Sequence, residues 1–414
     1  MISHRSMLIG SVATLSSALL ADMAENASAA TSTRSPRRPA TPSQLTVKLH
    51  NNTHAGQVYA FVTGTAVSNN ALTLLAADGH TVYQPPSPPG TGAPLGRDCA
   101  IPLNAPGGAP KTITIPQLAG ARLWFSTGSP IKFFLNPGPA LVEPSVTSSS
   151  DPNINLAWDF CEFTFNSSQL YANISMVDFT CMPIGLELTD TAGNQQTVPG
   201  LPPGGVDTVC AKLTAQAKAD GHPWGNLIVR HDGKNLRALS PASQAGVDGG
   251  FLNGYYTAYV NQVWKKYEST KLTIDTQASF GNVSGHVTGG QLTFPGAGSF
   301  GQPTTAQIFS CDGGPFDTSG ASQEALAIIP RLAAAFNRTT LLTTASQPNG
   351  AHPADYYQHA PTNQYARIVH ATARGGLGYA FPYDDVTPTG GVNQSGAVSS
   401  GSPAVLNVTV SSVH

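Results

Sequence analysis

The 414-residue sequence predicts a mainly β protein with an α/β insertion, on three observations. Short β-branched and aromatic runs, punctuated by Gly, Pro, Asn and Asp, fill the stretch from Leu45 to about residue 200. Helical periodicity begins only after residue 203, and strand-like runs return from Tyr365 onward. A β domain built from both ends of the chain, 45–200 with 365–414, would then be interrupted by a mixed α/β domain over 201–364, with a ligand cleft between the two.

The N-terminal residues read as an export address. His4 and Arg5 precede an apolar run from Met7 to Ala21, and Ala27-Ser28-Ala29 supplies a small-x-small cleavage pattern, so 1–29 is expected to be a signal peptide. Residues 30–44, rich in Pro, Ser, Thr and Arg, are expected to form a disordered leader. The apolar run falls short of the roughly twenty residues that cross a bilayer, so a soluble, secreted, extracellular protein without membrane association is expected.

Strands follow as LTVKL, QVYAFVTGT, ALTLLA, KTITI, ARLWFSTG and IKFFLN. In the insertion, Val206, Val209, Cys210, Leu213 and Ala217 recur at helical spacing until Gly221 and Pro223 stop the run. Tyr256, Tyr259, Val260, Val263, Trp264 and Tyr267 form one apolar stripe, the pattern of a core helix. SQEALAIIPRLAAAFN is a third helix, which Pro330 should kink or restart. TKLTIDTQ and QLTFPG read as strands between these helices, and ARIVHATA, GYAFPYDDV and AVLNVTVSS as strands of the tail.

Composition excludes several functions. Charged residues are 11% of the chain against about a quarter ordinarily, and the net charge is −2. With no Lys/Arg cluster beyond Arg34 to Arg38, nothing offers a footprint for nucleic acid. An uncharged, hydroxyl-rich partner suits this surface better. There is no GxSxG, HExxH or Walker loop, and the eleven His are scattered; His352, His359 and Asp355 read as loop residues rather than metal ligands, so neither cofactor nor metal is expected. Trp224 reads as packing before it reads as a sugar platform. The five cysteines, Cys99, Cys161, Cys181, Cys210 and Cys311, allow at most two disulfides and form no CxxC pair. Sequons occur at Asn51, Asn166, Asn173, Asn282, Asn337, Asn393 and Asn407.

The chemistry concentrates in LAWDFCEFTFNSSQLYANISMVDFTC, residues 156–181, where Glu162 and Asp178 lie among aromatic and apolar neighbours. A buried acid must be paired, hydrogen-bonded or neutralised. Strand alternation places Trp158, Phe160, Glu162, Thr164 and Asn166 on one face and Asp159, Cys161, Phe163 and Phe165 on the other. If the two runs were antiparallel with Cys161 opposite Cys181, those cysteines would be bridged or packed together, with Cys210 and Cys311 as the other candidate pair. Glu162 and Asp178 would then be diagonal neighbours about 7 to 8 Å apart, near the roughly 6.5 to 9.5 Å that an inverting glycosidase uses. Glu162, flanked by Phe160 and Phe163, would keep a proton as general acid, while Asp178 stayed ionised as base. Spacing alone does not displace the alternative in which both acids are structural residues held by backbone donors or an Arg.

The run FFLNPGPALVEPSVTSSSDPNINLAWDFCEFTFN, followed by NISMVDFTCMPIGLEL, resembles glycoside hydrolase family 64, the secreted β-1,3-glucanases. GYAFPYDDVTPTGG is similar to a C-terminal signature of thaumatin-like proteins, the superfamily whose scaffold this family shares. The resemblance implies a thaumatin-like β-barrel or sandwich domain and a mixed α/β domain flanking a wide groove. It also implies a monomeric, inverting, endo-acting enzyme that cuts β-1,3-glucan to short oligosaccharides. By the family pattern Glu162 is the acid and Asp178, sixteen residues on, the base; Thr164, Asn166, Tyr171 (where the family has Trp) and Ser175 line the groove. The rival reading is a thaumatin-like protein that holds β-glucan without cutting it.

Overall fold

The computed structural model describes residues 41–54 and 56–414; the expected signal peptide and nearly all of the expected leader lie outside the described residues. Two large sheets form most of the β part, with a small three-stranded sheet of Ala140–Val142, Phe134–Asn136 and Ala93–Pro94. One has five strands in the order Gln195–Val198, Ile184–Asp190, Pro403–Ser411, Gln44–Asn52 and Lys111–Pro116. The first and last long strands of the chain pair in parallel at its centre, Thr46 opposite Val405 through Asn52 opposite Ser411.

The other sheet has eight strands, with Ala397–Ser400, Leu170–Ile174, Trp158–Phe165, Leu118–Thr127, Val58–Ala66, Leu72–Leu75 and Val82–Tyr83 in order and Ile101–Pro102 beside Val58–Ala66. Val47, Ile113, Ile115 and Leu406 of the first sheet and Val62, Leu123, Cys161, Phe163 and Ala172 of the second line one narrow gap, so the sheets pack face to face. Alternation along Trp158–Phe165 follows directly: Cys161, Phe163 and Phe165 enter this core, which leaves Glu162 and Thr164 half-buried on the outer face.

The middle of the chain forms the helices that periodicity predicts. Gly205–Asp220 ends where Gly221 adopts φ 74°, a conformation without penalty only for glycine. Thr257–Ser269 buries the Tyr259, Val260, Val263, Trp264 and Tyr267 stripe. In Gln323–Asn337, Pro330 sits inside a single helix; nearly every residue from Ala325 to Asn337 is buried, and that packing outweighs the hydrogen bond proline forfeits. Trp224 is fully buried and donates from Nε1 to Asp220 Oδ2 at 2.9 Å, a packing role.

Two of the strands expected in the tail change. ARIVHATA is not a strand: Gln364–His370 is a helix capped by Asn363 Oδ1 on the Ala366 amide, with Tyr365, Ala366, Ile368 and Val369 buried at helical spacing. GYAFPYDDV is not a strand either, because its backbone folds around Asp384, which accepts from Arg338 Nη2 at 2.9 Å, from the Ala380 amide at 3.0 Å and contacts His370 Nε2 at 2.8 Å. The C-terminal segment is therefore strand only from Ala397, and AVLNVTVSS, all but its last residue, lies in the Pro403–Ser411 strand as expected.

The cysteine pairs also fall. All five cysteines are buried free thiols, and Cys161 stands opposite Ile174, not Cys181. Cys311 Sγ instead meets the Pro382 carbonyl at 3.2 Å, and Cys181 Sγ the Leu236 carbonyl at 3.2 Å. The sequons at Asn173 and Asn337 are buried, with Nδ2 donating to the carbonyls of Ile174 and Ile308, so neither can carry a glycan in the folded chain. Alkylation of the denatured, unreduced protein is expected to label all five cysteines; a mass spectrum showing an unlabelled pair would contradict this packing.

Candidate active site

The outer face of the eight-stranded sheet carries two adjacent rows of cross-strand neighbours. Phe61, Trp124 and Phe160 form an aromatic row, with Phe133 packed on Phe61 and Trp124 and Phe179 on Phe160. One pleat further, Thr63 faces Arg122, Arg122 faces Glu162, Glu162 faces Asn173 and Asn173 faces Ala397. The aromatic row is covered and dry, whereas the polar row reaches solvent at Glu162.

Arg122 organises the polar row. Its guanidinium lies 4.5 Å from the Phe160 ring centre and 5.3 Å from that of Trp124, so the charge rests on aromatic faces. Nε donates to Glu162 Oε1 at 3.2 Å, and Nη1 donates to Glu143 Oε2. The arginine side chain is 10% exposed, while Glu162 and Glu143 keep 25% and 34%, so the anions face the opening and the cation backs them. Burial alone would lower the Arg122 pKa, but Glu143, Glu162 and Asp178 outweigh it and hold the cation.

Asp178 joins this group by a different route from the one its sequence position suggests. The strand after Trp158–Phe165 is Leu170–Ile174, which places Asn173, not Asp178, beside Glu162. The chain leaves the sheet after Ile174, and Asp178 sits in a bend before Phe179–Thr180, which pairs with Leu239 and Ala238. The two acids are thus not diagonal hairpin partners, and the separation inferred from that register has no basis. Burial raises the Asp178 pKa, Arg122 opposes the rise and Glu162 adds to it, so both acids share one guanidinium field.

The bend is clamped from three directions. The Met176 amide donates to the Tyr379 carbonyl at 2.8 Å and the Ser240 amide to the Asp178 carbonyl at 2.9 Å. Tyr365 Oη donates to the Met176 carbonyl at 2.8 Å and lies 2.8 Å from Thr180 Oγ1, spanning the bend. Asp159, on the core side of the Glu162 strand, accepts from the Cys181 and Met182 amides at 2.9 Å, which ties the far end of the bend back to the floor. Burial pushes the Asp159 carboxyl up to about 7 against these donors.

The other expected residues divide. Thr164 and Tyr171 are direct neighbours on the Glu162 face, both half-buried, and Tyr171 lies within the charge field of Glu162 and Asp385. Ser175 is buried and lines a small internal space with Asp159, Phe160 and Met176. Asn166 Oδ1 accepts from the Ser168 and Gln169 amides, a turn-forming role. The expectation that Phe160 and Phe163 set the protonation of Glu162 also changes: Phe163 points into the core, and Phe160 stacks on Arg122. Arg122 and Glu143 escaped sequence reasoning. The available signal was an arginine inside the apolar strand ARLWF of a chain with only 21 Lys and Arg. Asp355 meanwhile accepts from the His352 amide and His359 contacts Thr343, and among the described residues no cluster is arranged to hold a metal.

Residues 43–410 match the family model described as beta-1,3-glucanase, glycoside hydrolase family 64. The chain belongs to this family. A laminaripentaose-producing β-1,3-glucanase solved in complex with laminaritetraose is similar to the family 64 chain at 32% identity and TM-score 0.80, over 90% of this chain and 100% of that one. A β-1,3-glucanase domain from Clostridium beijerinckii, at 22% identity and TM-score 0.70 over 91% of this chain and 100% of that one, shares the fold. A glucan endo-1,3-β-glucosidase of Cellulosimicrobium cellulans is 29% identical over 359 residues, 84% of this chain, which spans 62% of that relative's length.

Within this family 64 scaffold the Tyr365 clamp has a measurable role. Tyr365→Phe keeps the ring and removes both contacts of Oη to the bend. The expected result is an unfolding free energy lower by about 1 to 2 kcal/mol, measured by chemical denaturation. An unfolding midpoint equal to wild type would show that the hydroxyl contributes nothing to holding the bend.

Proposed function

We propose that the protein is a secreted endo-β-1,3-glucanase acting by single displacement, with Glu162 as general acid and Asp178 as general base. The observation that carries the reading is the placement of these two carboxylates, from different elements, in the field of Arg122 in a chain of family 64, with Glu162 hydrogen-bonded to it. The solved relative that holds laminaritetraose, and the names of the curated relatives, support β-1,3-glucan as substrate. Three carboxyls against one guanidinium give a half-open site with excess negative potential, suited to the positive charge that grows at the anomeric carbon in an oxocarbenium-like transition state.

The hydrogen-bonding pattern supports a division of labour. Glu162 Oε1 is engaged by Arg122, so its transferable proton belongs on Oε2, from which it passes to the departing glycosidic oxygen. Asp178 approaches from the clamped bend and would draw a proton from water attacking the opposite face of the sugar. Thr164 and Tyr171, beside Glu162, would line the substrate path, with Asn166 and Ser175 as the family's further groove positions. We place the site in the groove between a thaumatin-like β domain and the α/β domain. No cofactor takes part in this scheme. Export by the N-terminal signal accords with a polymeric extracellular substrate, and among the described residues no helix is long and apolar enough to cross a membrane.

Glu162→Gln and Asp178→Asn are each expected to lower kcat on laminarin by at least about 10²-fold while glucan binding and the unfolding transition persist. Either variant retaining half of wild-type turnover would remove that residue from the scheme. Stereochemistry tests the displacement itself. Proton NMR in the first minutes of hydrolysis should show the α-anomer forming first from the β-linked substrate, before mutarotation; β-anomer first would mean double displacement through a glycosyl-enzyme.

A further inference from the structure

This inference rests on the reading of Glu162 as proton donor and concerns what lets a proton stay there. A guanidinium bound to Glu162 alone would favour the ionised carboxylate and so oppose acid catalysis. Arg122 is not bound to Glu162 alone: Nε serves Glu162 and Nη1 serves Glu143. Glu143 arrives just after the Ala140–Val142 strand of a separate three-stranded sheet, so its carboxylate comes to Arg122 from outside the eight-stranded floor.

Five groups face the Glu162 carboxyl or lie behind it. Arg122 comes from Leu118–Thr127, Glu143 from the separate hairpin, Asp178 from the bend and Tyr171 from Leu170–Ile174, while Cys161 of the same strand points into the core behind the sheet. Only Arg122 among them is cationic. Burial raises the Glu143 pKa and Arg122 opposes it, as it does for Asp178. With three carboxyls around one guanidinium, removing one negative charge strengthens the hold of the cation on the other two.

We propose that Glu143 is a positioning residue for the reaction: by engaging the Nη1 end of Arg122 it divides the guanidinium between two carboxylates and leaves Glu162 able to carry the proton a departing sugar needs. It need not touch the substrate. If a merely structural tie were its role, losing it would alter stability or KM and leave the ionisation of the acid unchanged.

The test is the pH dependence of kcat on laminarin for wild type, Glu143→Gln, Glu143→Ala and Glu143→Asp, with folding checked by thermal unfolding. The acid works only when protonated, so its ionisation sets the alkaline limb. Without the Glu143 charge Arg122 favours ionised Glu162, and the limb of the Gln and Ala variants should move to lower pH by roughly one unit, about tenfold in turnover on that limb. Glu143→Asp should hold the limb at the wild-type position even if kcat falls. With its side chain 34% exposed, Glu143 can be replaced without opening the core. A limb within about 0.2 units of wild type in either folded neutral variant overturns the inference. Glu162→Gln is measured in parallel: if it is active, the acid assignment and this inference fall together, whereas if it is inactive and the limb does not move, only the role of Glu143 falls.

Discussion

A single buried guanidinium, that of Arg122, sets the terms for the rest of the site. An arginine in the middle of a sheet is tolerable only if its charge is matched and its flat faces are covered. Here Phe160 and Trp124 cover the faces, and Glu143, Glu162 and Asp178 match the charge. Each carboxylate in turn tolerates burial because the guanidinium is present. The arrangement is mutually dependent, and it gathers three carboxylates of a charge-poor chain around one guanidinium.

The second constraint is the placement of Asp178. The sheet supplies Glu162 and Arg122 by register alone, with a strand pair that leaves them directly opposed. Asp178 has no such register. Its bend is held by Tyr379, Ser240 and Tyr365, and Phe179–Thr180 pairs with Lys234–Leu239, so the position of the second acid belongs to the later half of the chain. Asp384 extends that dependence: Arg338, His370 and the Ala380 amide converge on it and fix the turn that presents the Tyr379 carbonyl. The C-terminal YDD segment, which looks like a strand by composition, is thus a bracket for a residue two hundred positions away.

How much could be read beforehand depended on whether a feature was local. Alternation along Trp158–Phe165 correctly assigned Cys161 and Phe163 to the core and Glu162 and Thr164 to the outer face, because side-chain direction in a strand follows sequence parity. Periodicity likewise found Gly205–Asp220 and Thr257–Ser269. ARIVHATA misled because Ile368 and Val369 favour strands by propensity, while an Asn363 cap and burial of both neighbours favour a helix. Pairing Cys161 with Cys181 failed for a related reason: the turn at Asn166 to Gln169 closes a tighter hairpin first, and sequence spacing carries no information on which of two later runs becomes the neighbour.

By itself the sequence determined the mainly β class, the face on which Glu162 stands, the main helices and, through motif resemblance, the family that residues 43–410 match. These follow from parity, periodicity and local residue identity, which neighbours along the chain suffice to express. Tertiary structure alone decided that Arg122 and Glu143 accompany Glu162, that Asn173 and not Asp178 is its strand neighbour, and that Asp178 enters the field of the same guanidinium from a bend clamped by residues 240, 365 and 379. The reason is physical: charge pairing and long-range clamping depend on distance in space, and the groups that satisfy a buried ion are selected by the folded packing of segments that the sequence holds far apart.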